Sequence, residues 1–218
     1  MEHVLFFVFS FVEFVAGLAF VLSLFRLDYV EYKTHIMYSA FILTEISYLL
    51  RLGFDLEPVS LVFQMLSVIV MFILLYQFPI FSAIIIGTVG YIFFGLLQMV
   101  LMLGFTFLTP LTLTDVYEYQ LGYLIQSLSA IAGFLFAWVA RRKNIGFNFL
   151  LKTKKFVLDF DAENILIFSI MVITVLTILT YSIFLFDKVG TTIALMVLLL
   201  VQILLLIYLA NRKVKRSD

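Results

Sequence analysis

The sequence predicts an all-α protein: a polytopic transmembrane helical bundle of about seven spans, with the N-terminus outside and the C-terminus cytoplasmic. Composition, the spacing of apolar runs and the placement of lysine and arginine each point there. Of 218 residues, 64% are apolar and only 13% charged, against about 45–50% and about 25% in soluble domains. Mean hydropathy is +1.17. One soluble core could not bury that much apolar surface, which excludes a free cytosolic enzyme, a nucleic-acid binder and a disordered tail. Formal net charge is zero and cysteine is absent. Disulfides, thiolate metal sites and cysteine nucleophiles are thereby excluded.

A helix needs about 20 mostly apolar residues to cross roughly 30 Å of hydrocarbon. Seven segments meet this, at roughly residues 4–25, 36–54, 59–78, 80–105, 119–140, 164–186 and 190–210. The first is not expected to be a cleaved signal peptide, because Met1-Glu2-His3 offers no basic leader and the apolar run is too long. Residues 59–105 carry no charge that would divide them, and as one helix they would extend about 70 Å. Pro79 removes a helical hydrogen bond, so a tight hairpin through Tyr76-Gln77-Phe78-Pro79 is predicted instead. A second hairpin is expected at Asp187-Lys188-Val189-Gly190. No soluble domain fits between the spans, so residues 1–218 read as a single membrane domain.

Orientation follows from the basic residues. With the N-terminus outside, inner segments hold 12 of the 14 lysines and arginines, leaving Arg51 and Lys188 outside. The outer segments carry Glu2, Asp55, Glu57, Asp115, Glu118 and Asp187. The inner connection from about Arg141 to Glu163 mixes Phe147, Phe149 and Leu150 with Lys152, Lys154 and Lys155. It reads either as an interfacial segment among anionic headgroups or as a solvated charge cluster. The largest outer loop, about Thr106 to Glu118, is rich in threonine.

Ionisable side chains within hydrocarbon cost at least about 2.5–3.5 kcal/mol, so each needs a reason. Glu13 and Glu45 are central. Glu13 shares a helical face with Ser10, Ala16 and Gly17; Glu45 lies on a stripe with Tyr38, Phe41 and Tyr48. Arg51 is expected to snorkel to the outer rim near Asp55, its i+4 neighbour, where Asp115 and Glu118 also lie. At about 1.5 Å per residue, Gln64, Gln98, Gln126 and Tyr181 lie roughly 7–11 Å below the outer surface. Glu13 and Glu45 lie at about 14 Å. Polar groups thus gather between the outer surface and the midplane, as a pocket open outward requires, although any single glutamine also suits interhelical hydrogen bonding. The candidate ligand-binding residues are Glu13, Glu45, Gln64, Gln98, Gln126 and Tyr181, with Arg51, Asp115 and Glu118 at the rim.

Enzymatic chemistry lacks its groups. His3 and His35 fall at opposite faces of the membrane and share no metal or nucleophile. Gly87, Gly90 and Gly95 lie within a span and read as packing rather than a phosphate loop. No enzyme activity, metal or cofactor is expected.

The layout resembles the N-terminal multi-span membrane sensor region of Bacillota histidine kinases of the GHKL, quorum-sensing type. The resembling residues are a first span containing Glu13 and a second ending Glu45-Ile46-Ser47-Tyr48-Leu49-Leu50-Arg51. To these are added the uncharged turn Gln77-Phe78-Pro79-Ile80, the basic exit Arg141-Arg142-Lys143, then Leu158-Asp159-Phe160-Asp161 leading into two aliphatic spans and a basic exit, Asn211 to Arg216. The resemblance implies an outward-looking region that binds a signal, often a peptide, and relays it inward. Only Ser217 and Asp218 follow Arg216, so kinase activity is not carried over. The chain is expected to be either the sensor portion of a longer kinase or a stand-alone homologue acting through a partner.

The leading expectation is a sensor or signalling-accessory module of the cell membrane. Its ligand would come from outside or from the lipid phase, and its partners would be a kinase, another membrane protein or a second copy. Nucleic acid is not a partner. Two alternatives stay open: a small transporter component or substrate-capture subunit, and an immunity or scaffold protein.

Overall fold

The computed structural model describes residues 2–109, 121–147, 162–184 and 189–217, all helical apart from short turns. Seven helices are long and apolar enough to cross a membrane. They are α1 (Glu2–Leu24), α2 (Lys33–Tyr48), α3 (Glu57–Leu74), α4 (Ile80–Leu108), α5 (Leu121–Lys143), α6 (Ala162–Phe184) and α7 (Val189–Ser217). Every predicted span has its helix. The differences are at the ends, where α4 runs three residues further than expected and α7 continues through the basic exit. α2 is extended by one π-helical turn, Leu49–Gly53, closed by Phe54 N–H donating to the Leu49 carbonyl at 2.9 Å. The loop beyond Thr109 that the sequence places outside, with Asp115 and Glu118, lies outside the described residues, as does the lysine-rich connection from residue 148 onward.

Pro79 stands immediately before α4, and α3 stops at Leu74. The hairpin is made by Gln77 in the left-handed region, φ 54°, with Phe78 N–H donating back to the Phe72 carbonyl at 3.0 Å. That bond satisfies a carbonyl the helix end would otherwise orphan. Arg26, Asp55 and Asn144 take the same conformation after α1, the π turn and α5 (φ 56°, 56° and 51°). Residues with a Cβ disfavour this region. Gln77→Gly should therefore stabilise the chain by roughly 0.5–1 kcal/mol, read as a shift in the unfolding midpoint in detergent.

α4 is the centre of the bundle, packed against α1, α3, α5 and α7. Its glycines explain the close approach. A Cβ on Gly87 would lie 2.6 Å from Ile69 Cγ1, and one on Gly90 would lie 2.4 Å from Val21 Cγ1. Three residues apart on one face, they let α3 and α1 seat against α4 at short range. α1 also packs closely along α5, where a Cβ on Gly133 would be 3.1 Å from Phe94 Cε2 and 3.4 Å from the Ala16 carbonyl oxygen. The α6–α7 hairpin rests on α3 and α4. It is joined internally by Thr174 Oγ1 donating to Gln202 Oε1 at 3.1 Å and by the Tyr181–Thr192 hydroxyl pair at 2.7 Å.

The two ends of the bundle differ in how they are fastened. At the end holding the α1–α2 and α5 exits, Arg26 Nε donates to the Gly146 carbonyl at 2.8 Å and Phe147 N–H donates to Leu24 at 2.8 Å. Arg141 pairs with Asp28 at 3.0 Å, and rings of Tyr32, His35, Phe72, Tyr76 and Phe78 interlock beside them. At the other end, around Asp55, His3 meets Tyr48 through a 3.4 Å contact and an edge-on ring pair. The histidines thus sit at opposite ends, as the sequence predicts.

Candidate ligand cavity

Five helices, α1 to α5, enclose a cavity of about 90 Å³. Its polar lining comes from Ser10 and Glu13 of α1, Ser47 and Arg51 at the end of α2, Gln64 of α3, Gln98 of α4 and Gln126 of α5. Apolar walls are supplied by Phe14, Leu18, Val68 and Phe94, among others. Each polar residue arrives on a helical stripe. Ser10, Glu13 and Gly17 are three and four apart on α1; Leu43, Ser47 and Arg51 are four apart on α2; Tyr91, Phe94, Gly95 and Gln98 follow the same spacing on α4. Counted along the helices at about 1.5 Å per residue, Gln64 and Gln126 lie about 8–11 Å from the Asp55 end.

The hydrogen bonds form a network across helices. Gln98 Nε2 donates to Glu13 Oε1, joining α4 to α1. Gln64 is used at both ends of its amide, donating to Ser47 Oγ at 3.0 Å and accepting from Tyr91 at 3.1 Å. Ser60 Oγ donates to the Glu57 carbonyl at 2.8 Å and receives Arg51 Nε at 3.4 Å. Arg51 lines the same cavity as Glu13. Gln126 Oε1 is buried with no hydrogen-bond partner among the described residues. Most buried polar atoms are paired, so this unused acceptor at a cavity wall marks where a ligand can add a donor.

The cavity brings together four of the six predicted ligand-binding residues, Glu13, Gln64, Gln98 and Gln126, together with Arg51. The other two predicted residues are placed elsewhere. Glu45 does not join Glu13: it is half-buried on the flank of α2 whose neighbours Tyr38 and Phe41 are 66% and 50% exposed, which turns it away from the interior. Tyr181 is spent on Thr192 within the α6–α7 hairpin and lines no part of the cavity. Arg51 donates to Ser60 and lines the cavity, continuing the inward Leu43–Ser47 stripe. Ser47, Tyr91 and Ser60 had not been singled out as site residues, although the four-residue spacing of Ser47 with Arg51 and the seven-residue spacing of Tyr91 with Gln98 carried the signal. Among the described residues no group of three or more histidines or acids could hold a metal ion.

The lining combines one carboxylate, one guanidinium and several amides and hydroxyls with aromatic walls, a composition suited to holding a small polar ligand by several directed contacts. No protein-family model matches this chain, and neither a curated protein nor a solved structure is detectably similar to it. The resemblance to kinase sensor regions therefore rests on the pattern of spans and charges alone, and the functional reading rests on the cavity.

Proposed function

We propose that this protein is a sensor or signalling-accessory module of the cell membrane, with its N-terminus outside, that binds a ligand in the cavity of α1 to α5 and relays the event to a membrane partner. The observation that carries this reading is the convergence of Glu13, Arg51, Gln98 and Gln126 on one cavity in the half of the bundle nearer the Asp55 end. Simple interhelical glue needs no ionisable group, and a carboxylate and a guanidinium in hydrocarbon are expensive unless they serve something. The basic residues of the opposite end support an outward-facing cavity by the positive-inside rule.

The relay has a physical route. α3 and α4 contribute Gln64 and Gln98 to the cavity and also carry the α6–α7 hairpin. A ligand that favours one spacing of α3 and α4 would shift the hairpin, whose last helix ends in the basic exit. Such a shift requires different affinity for the two arrangements. Glu45 supports a partner on the flank of α2, since a carboxylate facing acyl chains is costly until another helix covers it.

Crosslinking in native membranes followed by purification tests the reading. A histidine kinase captured by the wild-type chain and lost with Glu45→Leu is the expected result. Capture of an ABC-type ATPase, with ligand uptake in proteoliposomes, would replace the sensor by the transporter alternative.

A further inference from the structure

Taking the cavity as a ligand site, and so resting on the reading above, we infer that its ligand is a compact zwitterion whose ammonium group meets Glu13 and Gln126 and whose acidic group meets Arg51. The cavity holds charges of both signs. A simple anion entering it would face Glu13, and a simple cation would face Arg51, since both line the cavity. A ligand carrying both signs satisfies both walls and brings no net charge into a poorly solvating interior.

The acceptors and donors agree with this division. Glu13 is nine-tenths buried and receives a single donor from Gln98 among the described residues, leaving carboxylate capacity for another. Gln126 Oε1 has no donor at all among them. An ammonium group has three N–H bonds to offer and needs such acceptors. The Gln64 amide is committed to Ser47 and Tyr91, so it does not compete for the ligand. Phe94 adds an aromatic wall beside the acceptors, where a cation over a ring is further stabilised. On the other side Arg51 offers a planar fork of donors suited to a carboxylate or phosphate.

Size limits the ligand. About 90 Å³ has room for several waters, a single one needing roughly 10–15 Å³, so what it encloses is a compact headgroup rather than a bulky molecule. Free small amino acids and the amine–phosphate headgroup of an aminophospholipid share this chemistry.

The test uses the full chain in nanodiscs of phosphatidylglycerol, with glycine, β-alanine and phosphoethanolamine as zwitterions and ethylamine and acetate as half-ligands, read by calorimetry and thermal unfolding. At least one zwitterion should bind saturably, and each half-ligand should bind about tenfold more weakly or worse. Glu13→Gln and Arg51→Gln should each weaken the zwitterion by about tenfold or more, while Arg51→Lys, which keeps the charge but not the fork, should lose less than Arg51→Gln. Competition by phosphatidylethanolamine in the discs assigns the headgroup as the source, and indifference to it assigns a free molecule. Ethylamine binding as well as any zwitterion, unaffected by Arg51→Gln, would overturn the inference while leaving a cation-sensing cavity intact. Absence of binding by every zwitterion would also overturn it.

Discussion

Gly90→Leu should destabilise the bundle by about 3 kcal/mol, at the upper end of the usual cost of overpacking. The first added atom alone would lie 2.4 Å and 2.7 Å from the two γ-carbons of Val21. Val21 is 3% exposed, and a β-branched side chain in a helix has little rotamer freedom with which to yield. α1 must therefore back away from α4, opening the same contact that frames the cavity one turn further along. Gly104, where an added Cβ meets nothing within 4 Å, provides the control, and Gly104→Leu should stay within about 0.5 kcal/mol of wild type. Unfolding of the detergent-solubilised chain, followed by helical signal against a denaturing detergent, measures both. Partial recovery when Gly90→Leu is combined with Val21→Ala would assign the cost to that contact. Equal stability of the two leucine variants would contradict the packing described for α4.

The Glu13–Gln98 pair gives the second large effect. Gln98→Leu removes the donor that Glu13 receives from α4 and leaves a buried carboxyl group short of a partner, at a cost of about 1–3 kcal/mol. Removing both polar groups, as Glu13→Leu with Gln98→Leu, should recover most of that loss, since two apolar groups of similar shape leave nothing unsatisfied. Glu13→Gln keeps a side chain of the same shape and an acceptor for Gln98, so the protein should remain folded while ligand response is lost. Glu45→Gln should leave ligand binding in place because Glu45 stands outside the cavity. Wild type, Glu13→Leu, Gln98→Leu and the double variant, compared by unfolding midpoint, form a double-mutant cycle. A double variant less stable than the Gln98→Leu single variant would show that the pair is not isolated from its surroundings as described.

The seven helices were legible in the sequence because hydrocarbon thickness imposes one requirement on all of them, and apolar runs of sufficient length satisfy it visibly. Pro79 marked the third turn for an equally local reason. The depth of Gln64, Gln98 and Gln126 follows from counting residues along straight helices, which is why they could be gathered before their neighbours were known. Which way a helix face points is different. Tyr38, Phe41 and Tyr48 suit lipid and protein interior alike, so the stripe carrying Glu45 gave no sign that it turns outward. In soluble proteins polarity separates core from surface; within a bilayer both are apolar. Asp55 invites a surface pair for Arg51, whereas its place on the cavity wall follows from the Leu43–Ser47 stripe and the π turn Leu49–Gly53. Tyr181 sits at the right depth but in a hairpin that supplies its own partner, Thr192.

Thiol labelling reaches the central claim, a polar cavity facing outward, most directly. The chain contains no cysteine, so single replacements report without background. A small membrane-impermeant methanethiosulfonate reagent added to intact cells should modify Gln126→Cys in the cavity and Glu57→Cys at the Asp55 end. It should spare Lys143→Cys until the membrane is opened, and spare Val201→Cys, 59% exposed on the lipid-facing side of α7, throughout. Modification of Lys143→Cys from outside, with Gln126→Cys and Glu57→Cys protected, would invert the bundle and remove the outward cavity.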